Sequence, residues 1–297
     1  MAKGGQVSTH TESEIASQPD CWSRAARMAP DAPLPRRGER LAVVGCGTSW
    51  FIAQAYAALR ERAGHGESDA FAASEFPAGR RYDRVLALTR SGTTTEVLDL
   101  LRSLAGPPVT VITADPAAPV AELAADLVVL DFADERSVVQ TRFATTQLAL
   151  LRAHLGEDIA PAVAAARRAL TWSPPAELLA AEQFTFLGRG WTCGLAHEAA
   201  LKMREAARSW AESYPAMEYR HGPVSVAGPD RVTWMIGDAP AGLAAQVQAA
   251  GGRFVTGTGD PMAELVAVQR LAVARAHARG LDPDRPRHLT RSVILSP

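Results

Sequence analysis

The run LAVVGCGTSWF, positions 41–51, carries four apolar residues into Gly45-Cys46-Gly47 and then two hydroxyls, Thr48 and Ser49. A strand, a glycine turn and a helix start in that order form a ready anion site, because the first helical N–H groups lack partners and carry partial positive charge. A second hydroxyl cluster, Thr89-Arg90-Ser91-Gly92-Thr93-Thr94-Thr95, follows the strand-like RVLAL and opens another helix. A helix cap needs only one hydroxyl. A run of them with a guanidinium suits a phosphate monoester instead. A third stretch, HEAALKMRE, places Glu198, Lys202 and Glu205 at i, i+4 and i+7, on one face of a helix. That face fits either acid–base work or a solvated ion-pair ladder, and spacing alone does not choose. A fourth, EYRHGP, sets His221 before Gly222-Pro223, in a rigid loop rather than a helix.

Two common readings of the first turn fail. A dinucleotide site needs a third glycine, and Trp50 stands there. The Lys-Ser/Thr end of a nucleoside-triphosphate loop is missing as well. No His-Glu-x-x-His or comparable spacing points to a metal, so neither metal nor cofactor is expected.

These residues need a frame that brings them to one edge. Strand-like runs occur at 41–45, 69–73, 84–89, 109–113 and 127–131, with helical stretches at 49–62, 94–104, 117–124 and 137–153 between and after them. Such alternation predicts a parallel sheet covered by helices. An N-terminal helix is expected over 12–30, broken near Pro19, with residues 1–10 as a loose tail. Residues 157–170 read as a connecting helix, and TWSPPAE (171–177) as a boundary. The pattern then restarts. In FTFLGRGWTC (184–193), Gly188 and Gly190 fall 143 residues after Gly45 and Gly47. Later strands are expected at 231–237 and 253–257. The expected plan is a tail and helix over 1–35, then similar α/β domains over 36–170 and 171–297.

Composition narrows the classes. With 31 basic and 32 acidic residues, a formal charge of −1 offers no footprint for nucleic acid. No run of 18 apolar residues or leader is seen, so a cytoplasmic protein without membrane attachment is expected. Cys21, Cys46 and Cys193 are too few and too scattered for a disulfide framework, and reduced thiols are expected.

Together the motifs resemble the sugar isomerase (SIS) domain family over nearly the whole chain. Within it, the sequence is similar to the tandem isomerase half of the glucosamine-6-phosphate synthases (glutamine–fructose-6-phosphate aminotransferases), to stand-alone aminosugar-phosphate deaminase/isomerases and to fructosamine-6-phosphate deglycases. Gly45–Ser49 matches the family's CGTS, Ser74-Glu75-Phe76 its SEF, Thr89–Thr94 its SQSGET and Thr145-Thr146-Gln147 its TTQ. Glu198–Glu205 matches EGALKLKE, Arg220–Pro223 matches KHGP, and Arg287–Val293 matches the C-terminal PRNLAKSV.

The resemblance implies two tandem flavodoxin-like SIS domains, each a parallel sheet flanked by helices. It implies that Thr48, Ser49, Thr89, Ser91 and Thr94 bind the phosphate of a hexosamine or fructosamine 6-phosphate, with Arg90 at the glutamine position of that loop and Arg291 in the C-terminal part of the site. Glu205 would be the base moving a proton between C1 and C2, Lys202 its support, and His221 a ring-opening group supplied across a homodimer. The implied activity is isomerisation, deamination or deglycation; the alternative is a phosphosugar-sensing module without catalysis. Three departures bear on this. Ala2 stands where the synthases need a nucleophilic cysteine and no glutaminase domain is expected; Arg291 replaces a lysine and cannot form an imine; and the second half is short between Gly257 and Pro261.

Overall fold

The computed structural model describes residues 8–257 and 259–295. Helix α1 (His10–Met28) leads to β1 (Leu41–Gly45), α2 (Thr48–Arg62), β2 (Ser68–Ala72), β3 (Arg84–Leu88), α3 (Thr95–Ser103), β4 (Val109–Thr113), β5 (Asp126–Val129) and α4 (Arg142–His154). Helices α5 (Ala160–Ala169) and α6 (Ala176–Ala180) connect to β6 (Gln183–Gly188), α7 (Thr192–Ala207), β7 (Trp210–Pro215), β8 (Arg231–Met235), α8 (Leu243–Ala249), β9 (Arg253–Thr256) and α9 (Pro261–Ala278). The strands form two parallel sheets, ordered β2-β1-β3-β4-β5 and β7-β6-β8-β9. Strands β1, β4 and β6 are buried along their whole length, and apolar residues predominate in them, as burial on both faces requires. One apolar core joins the sheets, running from Ile52 and Leu148 through Ala199 to Leu265. No helix among the described residues is long and apolar enough to cross a membrane.

The two glycine turns repeat the same geometry. Gly47 and Gly190 both take positive φ, 53° and 57°. Gly194 does a different job. A Cβ there would lie 2.3 Å from the Phe51 carbonyl oxygen, so a glycine is needed for α7 to lie against α2. That contact sets Lys202 beside Thr48.

Several expectations are corrected. Helix α1 is continuous through Pro19. Proline there leaves the Ile15 carbonyl without its backbone donor, and the Gln18 side-chain amide takes that place at 3.2 Å. Thr9 and His10, expected in the loose tail, belong to α1, with Thr9 capping it in a reciprocal capping box with Glu12; residues 1–7, with Ala2, lie outside the described residues. The segment at 117–124 is a 3-10 turn, Pro119–Leu123, and α4 starts at Arg142 rather than 137. The sequence reads LAHEAALKMREAARSWAE (195–212) as one helix, but α7 ends at Ala207, where Arg208 turns into the left-handed region, and Trp210–Pro215 forms strand β7. The short stretch from Gly257 to Pro261 contains Thr258, outside the described residues, and follows the edge strand of a sheet of four strands where the first has five.

Candidate active site

Adjacent parallel strands deliver their following loops to the same sheet edge. β1 pairs directly with β3, so the Gly45–Ser49 turn and the Thr89–Thr95 loop lie side by side at their C-terminal ends. Thr48 and Ser49 are both buried in the first turn of α2. The Thr48 hydroxyl accepts a hydrogen bond from Lys202 Nζ at 3.1 Å. The Ser49 hydroxyl makes none among the described residues.

Lys202 lies between two carboxylates on α7. Its Nζ is 3.4 Å from Glu198 Oε1 and 2.5 Å from Glu205 Oε2. The solvated-ladder alternative does not describe this cluster, because the Lys202 and Glu198 side chains are 1% and 0% exposed. Glu205 is 18% exposed and is the one member that opens outward. Burial, offset in part by Lys202, pushes the Glu198 carboxyl up to about 7. Burial works against charge on Lys202, but Glu198 and Glu205 outweigh it and hold its pKa above the ordinary lysine range. A buried ammonium held charged between a carboxyl near neutrality and a partly open carboxylate is suited to moving protons at neutral pH.

The raised Glu198 pKa has a definite sign in stability. From its ordinary value of 4.5 up to about 7 the native state keeps a proton that the unfolded chain has lost. Stability from this group therefore falls as pH rises through that window. Glu198→Gln, which does not titrate, should gain on the parent in melting temperature from about pH 5 to about pH 8. A difference independent of pH would show that Glu198 titrates in its ordinary range.

In the hydroxyl loop, Thr89 Oγ1 accepts from the Gly92 amide at 3.2 Å, and Gly92 takes φ 63° to make the turn. The Ser91, Thr93 and Thr94 hydroxyls converge on one atom, Ser292 Oγ, at 3.2, 3.0 and 3.3 Å. The Thr95 amide, at the start of α3, donates to the Val293 carbonyl at 3.1 Å. The C-terminal tail thus lies across the mouth of the loop. Ser292 is a residue of the tail motif that sequence reasoning did not single out; a hydroxyl next to Arg291 was its only signal.

Arg90 and Arg291 do not stand as expected for ligand-facing groups. Arg90 is buried, with its guanidinium committed to the Glu135 carboxylate and to the Ser137 and Arg291 carbonyls. The Arg291 guanidinium donates to Asp134 and to the Glu135 carbonyl. Both turn toward the 134–137 loop because it offers carboxylate and carbonyl acceptors, buried at Glu135 and open to solvent at Asp134. Glu135 was also missed in the sequence, where nothing distinguishes it from a surface acid.

His221 is exposed and ends a 3-10 turn, Glu218–His221, where a loop was expected. Its side chain makes no hydrogen bond or ion pair, to Glu205 or to any other of the described residues. No group of three His, Cys, Asp or Glu among the described residues could hold a metal. A hollow of about 700 Å³ near Tyr82 and Leu104 lies at the opposite edge of the first sheet and contains none of these side chains.

No family model matches the chain. Among curated proteins it is 27% identical to the glutamine–fructose-6-phosphate aminotransferase (isomerizing) of Sulfurisphaera tokodaii, over 88% of this chain and 51% of that one. The enzyme of the same name from Zymomonas mobilis is 29% identical over 86% of this chain and 52% of its own length. The chain spans about half the length of these relatives. Among solved structures, glucosamine-6-phosphate deaminase from Thermotoga maritima superposes with a TM-score of 0.80 at 23% identity, covering 97% of this chain and all of that one. Tagatose-6-phosphate ketose/aldose isomerase from Escherichia coli gives 0.79 at 18% identity, covering 100% and 99%. At these identities the superpositions show a shared fold: two parallel sheets flanked by helices.

Proposed function

From a chain that resembles the sugar isomerase domain family, the isomerase half of the glutamine–fructose-6-phosphate aminotransferases included, we propose an enzyme that moves a proton between C1 and C2 of a 6-phosphorylated amino sugar or fructosamine. The overall outcome is isomerisation, deamination or deglycation. The observation that carries this reading is the cluster Glu198–Lys202–Glu205 against Thr48, buried except where Glu205 opens. A phosphosugar sensor would need only the hydroxyl loop, and would have no use for a buried lysine between two acids.

In this proposal Ser49, Thr89, Ser91 and Thr94 receive the phosphate, helped by the N-terminus of α3. Glu205 takes the proton alpha to the carbonyl or imine and returns it to the neighbouring carbon. Lys202 pairs with Glu205 and fixes its position, and the Thr48 hydroxyl, which accepts from Lys202, is left to donate toward the developing oxyanion. The two halves, 36–170 and 171–297, are read as tandem domains of the family. The reading is tested with a panel of hexosamine 6-phosphates and fructosamine 6-phosphates, assayed for ammonia, amino acid and hexose phosphate. Release or interconversion from at least one supports it; binding without turnover across the panel favours the sensor.

Ser91→Ala removes one charge-assisted hydrogen bond to phosphate, worth about 1.5–3 kcal/mol. Calorimetry should find fructose 6-phosphate or glucosamine 6-phosphate bound about 10- to 100-fold more weakly. Unchanged affinity would move the phosphate elsewhere.

We also read the active unit as a homodimer in which the exposed His221 reaches the partner's site and assists ring opening. Mixing Glu205→Gln with His221→Ala subunits should restore part of the lost activity, since one of the two shared sites is then intact. A demonstrated heterodimer with no recovery would count against a shared site.

A further inference from the structure

Two departures from the family pattern, arginine at 90 for glutamine and arginine at 291 for lysine, meet at one place. Arg90 Nη1 lies 3.3 Å from Glu135 Oε2 and donates to the Ser137 carbonyl at 3.2 Å; Nη2 donates to the Arg291 carbonyl at 2.8 Å. The Arg291 guanidinium folds back onto the same loop at Asp134 and Glu135. The Arg90 and Glu135 side chains are 1% and 0% exposed. Glu135 is itself fixed from the other side, its Oε1 accepting from the Thr141 and Arg142 amides at the start of α4 at 2.5 and 2.7 Å. Arg90 therefore cannot swing toward a ligand without leaving a buried carboxylate uncompensated.

We propose that Arg90 and Glu135 are positioning residues that clasp the backbone at Arg291, placing the Ser292 hydroxyl among Ser91, Thr93 and Thr94. The planar, two-edged guanidinium suits the task. One nitrogen neutralises Glu135 while the other holds a main-chain carbonyl, which a lysine ammonium at the same position would not span. Glutamine could reach one acceptor but would leave Glu135 unpaired. The clasp stands on geometry alone, whereas its effect on ligand affinity rests on the phosphosugar reading above.

The test is hydrogen exchange by mass spectrometry on the full chain, following the Thr95 and Leu295 amides. Thr95 N–H donates to the Val293 carbonyl, and Leu295 N–H to Thr95 Oγ1 at 2.9 Å. Arg90→Gln should speed exchange at both by at least about tenfold. So should Arg90→Lys, which keeps a cation beside Glu135 and guards against misfolding, with peptides of α9 as the control for global structure. Unchanged exchange in a folded Arg90→Lys overturns the clasp.

A second arm measures fructose 6-phosphate affinity in Arg90→Lys, Ser292→Ala and the double variant. If Arg90 acts through Ser292, the double variant binds no more weakly than the weaker single one. Fold-losses that multiply overturn the proposal, because independent sites add in free energy. If the parent protein does not bind fructose 6-phosphate, the phosphosugar reading loses its test ligand while the exchange arm still decides the clasp.

Discussion

Glu205→Gln is expected to lower turnover by roughly 10²–10⁴, the usual worth of a positioned general base, while leaving phosphosugar affinity nearly unchanged. Gln preserves size and hydrogen-bonding reach but cannot accept a proton. Glu205 is the partly exposed member of its cluster, at 18% exposure beside a buried Lys202. The hydroxyls proposed to receive the phosphate belong to other elements, so binding and proton transfer should separate cleanly. Steady-state kinetics with calorimetry on the same variant checks this. A fall in affinity with unchanged turnover would make Glu205 a binding group instead.

Lys202→Met is the second large effect, and it falls on stability. Lys202 is fully enclosed and sits between two acids. Removing one partner of a buried ion pair leaves an uncompensated charge and costs about 3–5 kcal/mol. Part of that cost can be relieved by protonating Glu198, whose carboxyl is already pushed up to about 7. The loss in urea denaturation should therefore be largest near about pH 8 and smaller near about pH 5–6, where Glu198 is neutral in the folded protein. A loss below about 1 kcal/mol at both would mark a pair worth no more than a solvated one.

What could be read from the sequence divides along physical lines. Strands β1, β4 and β6 were legible because parallel strands buried on both faces are rich in apolar and β-branched residues, with the few polar ones mostly threonine. The glycine turns were legible because a strand-to-helix reversal needs a positive φ and space for the first helical turn. Strand β7, WAESYP, was not: Trp210, Ala211 and Glu212 carry on the helical pattern of α7, and the strand lies at the sheet edge with Trp210 exposed and a proline at its end. Pro19 was misjudged because its remedy is a neighbouring side chain, Gln18, rather than a backbone pattern.

At the site, the face shared by Glu198, Lys202 and Glu205 followed from helical spacing, but its burial did not. That depends on Gly194 admitting α2. The orientations of Arg90 and Arg291 were hidden for a similar reason. Their acceptors, Glu135, Ser137 and Asp134, lie tens of residues away from one arginine and far along the chain from the other, and only the folded loop assembles them.

The most direct test is exchange of the C1 and C2 hydrogens of fructose 6-phosphate and glucosamine 6-phosphate with solvent deuterium, followed by NMR with the parent protein and with Glu205→Gln. Proton transfer by Glu205 predicts deuterium entering the sugar with the parent protein and entering about 10²–10⁴ times more slowly with the variant. Exchange at equal rates in the two proteins would contradict Glu205 as the base.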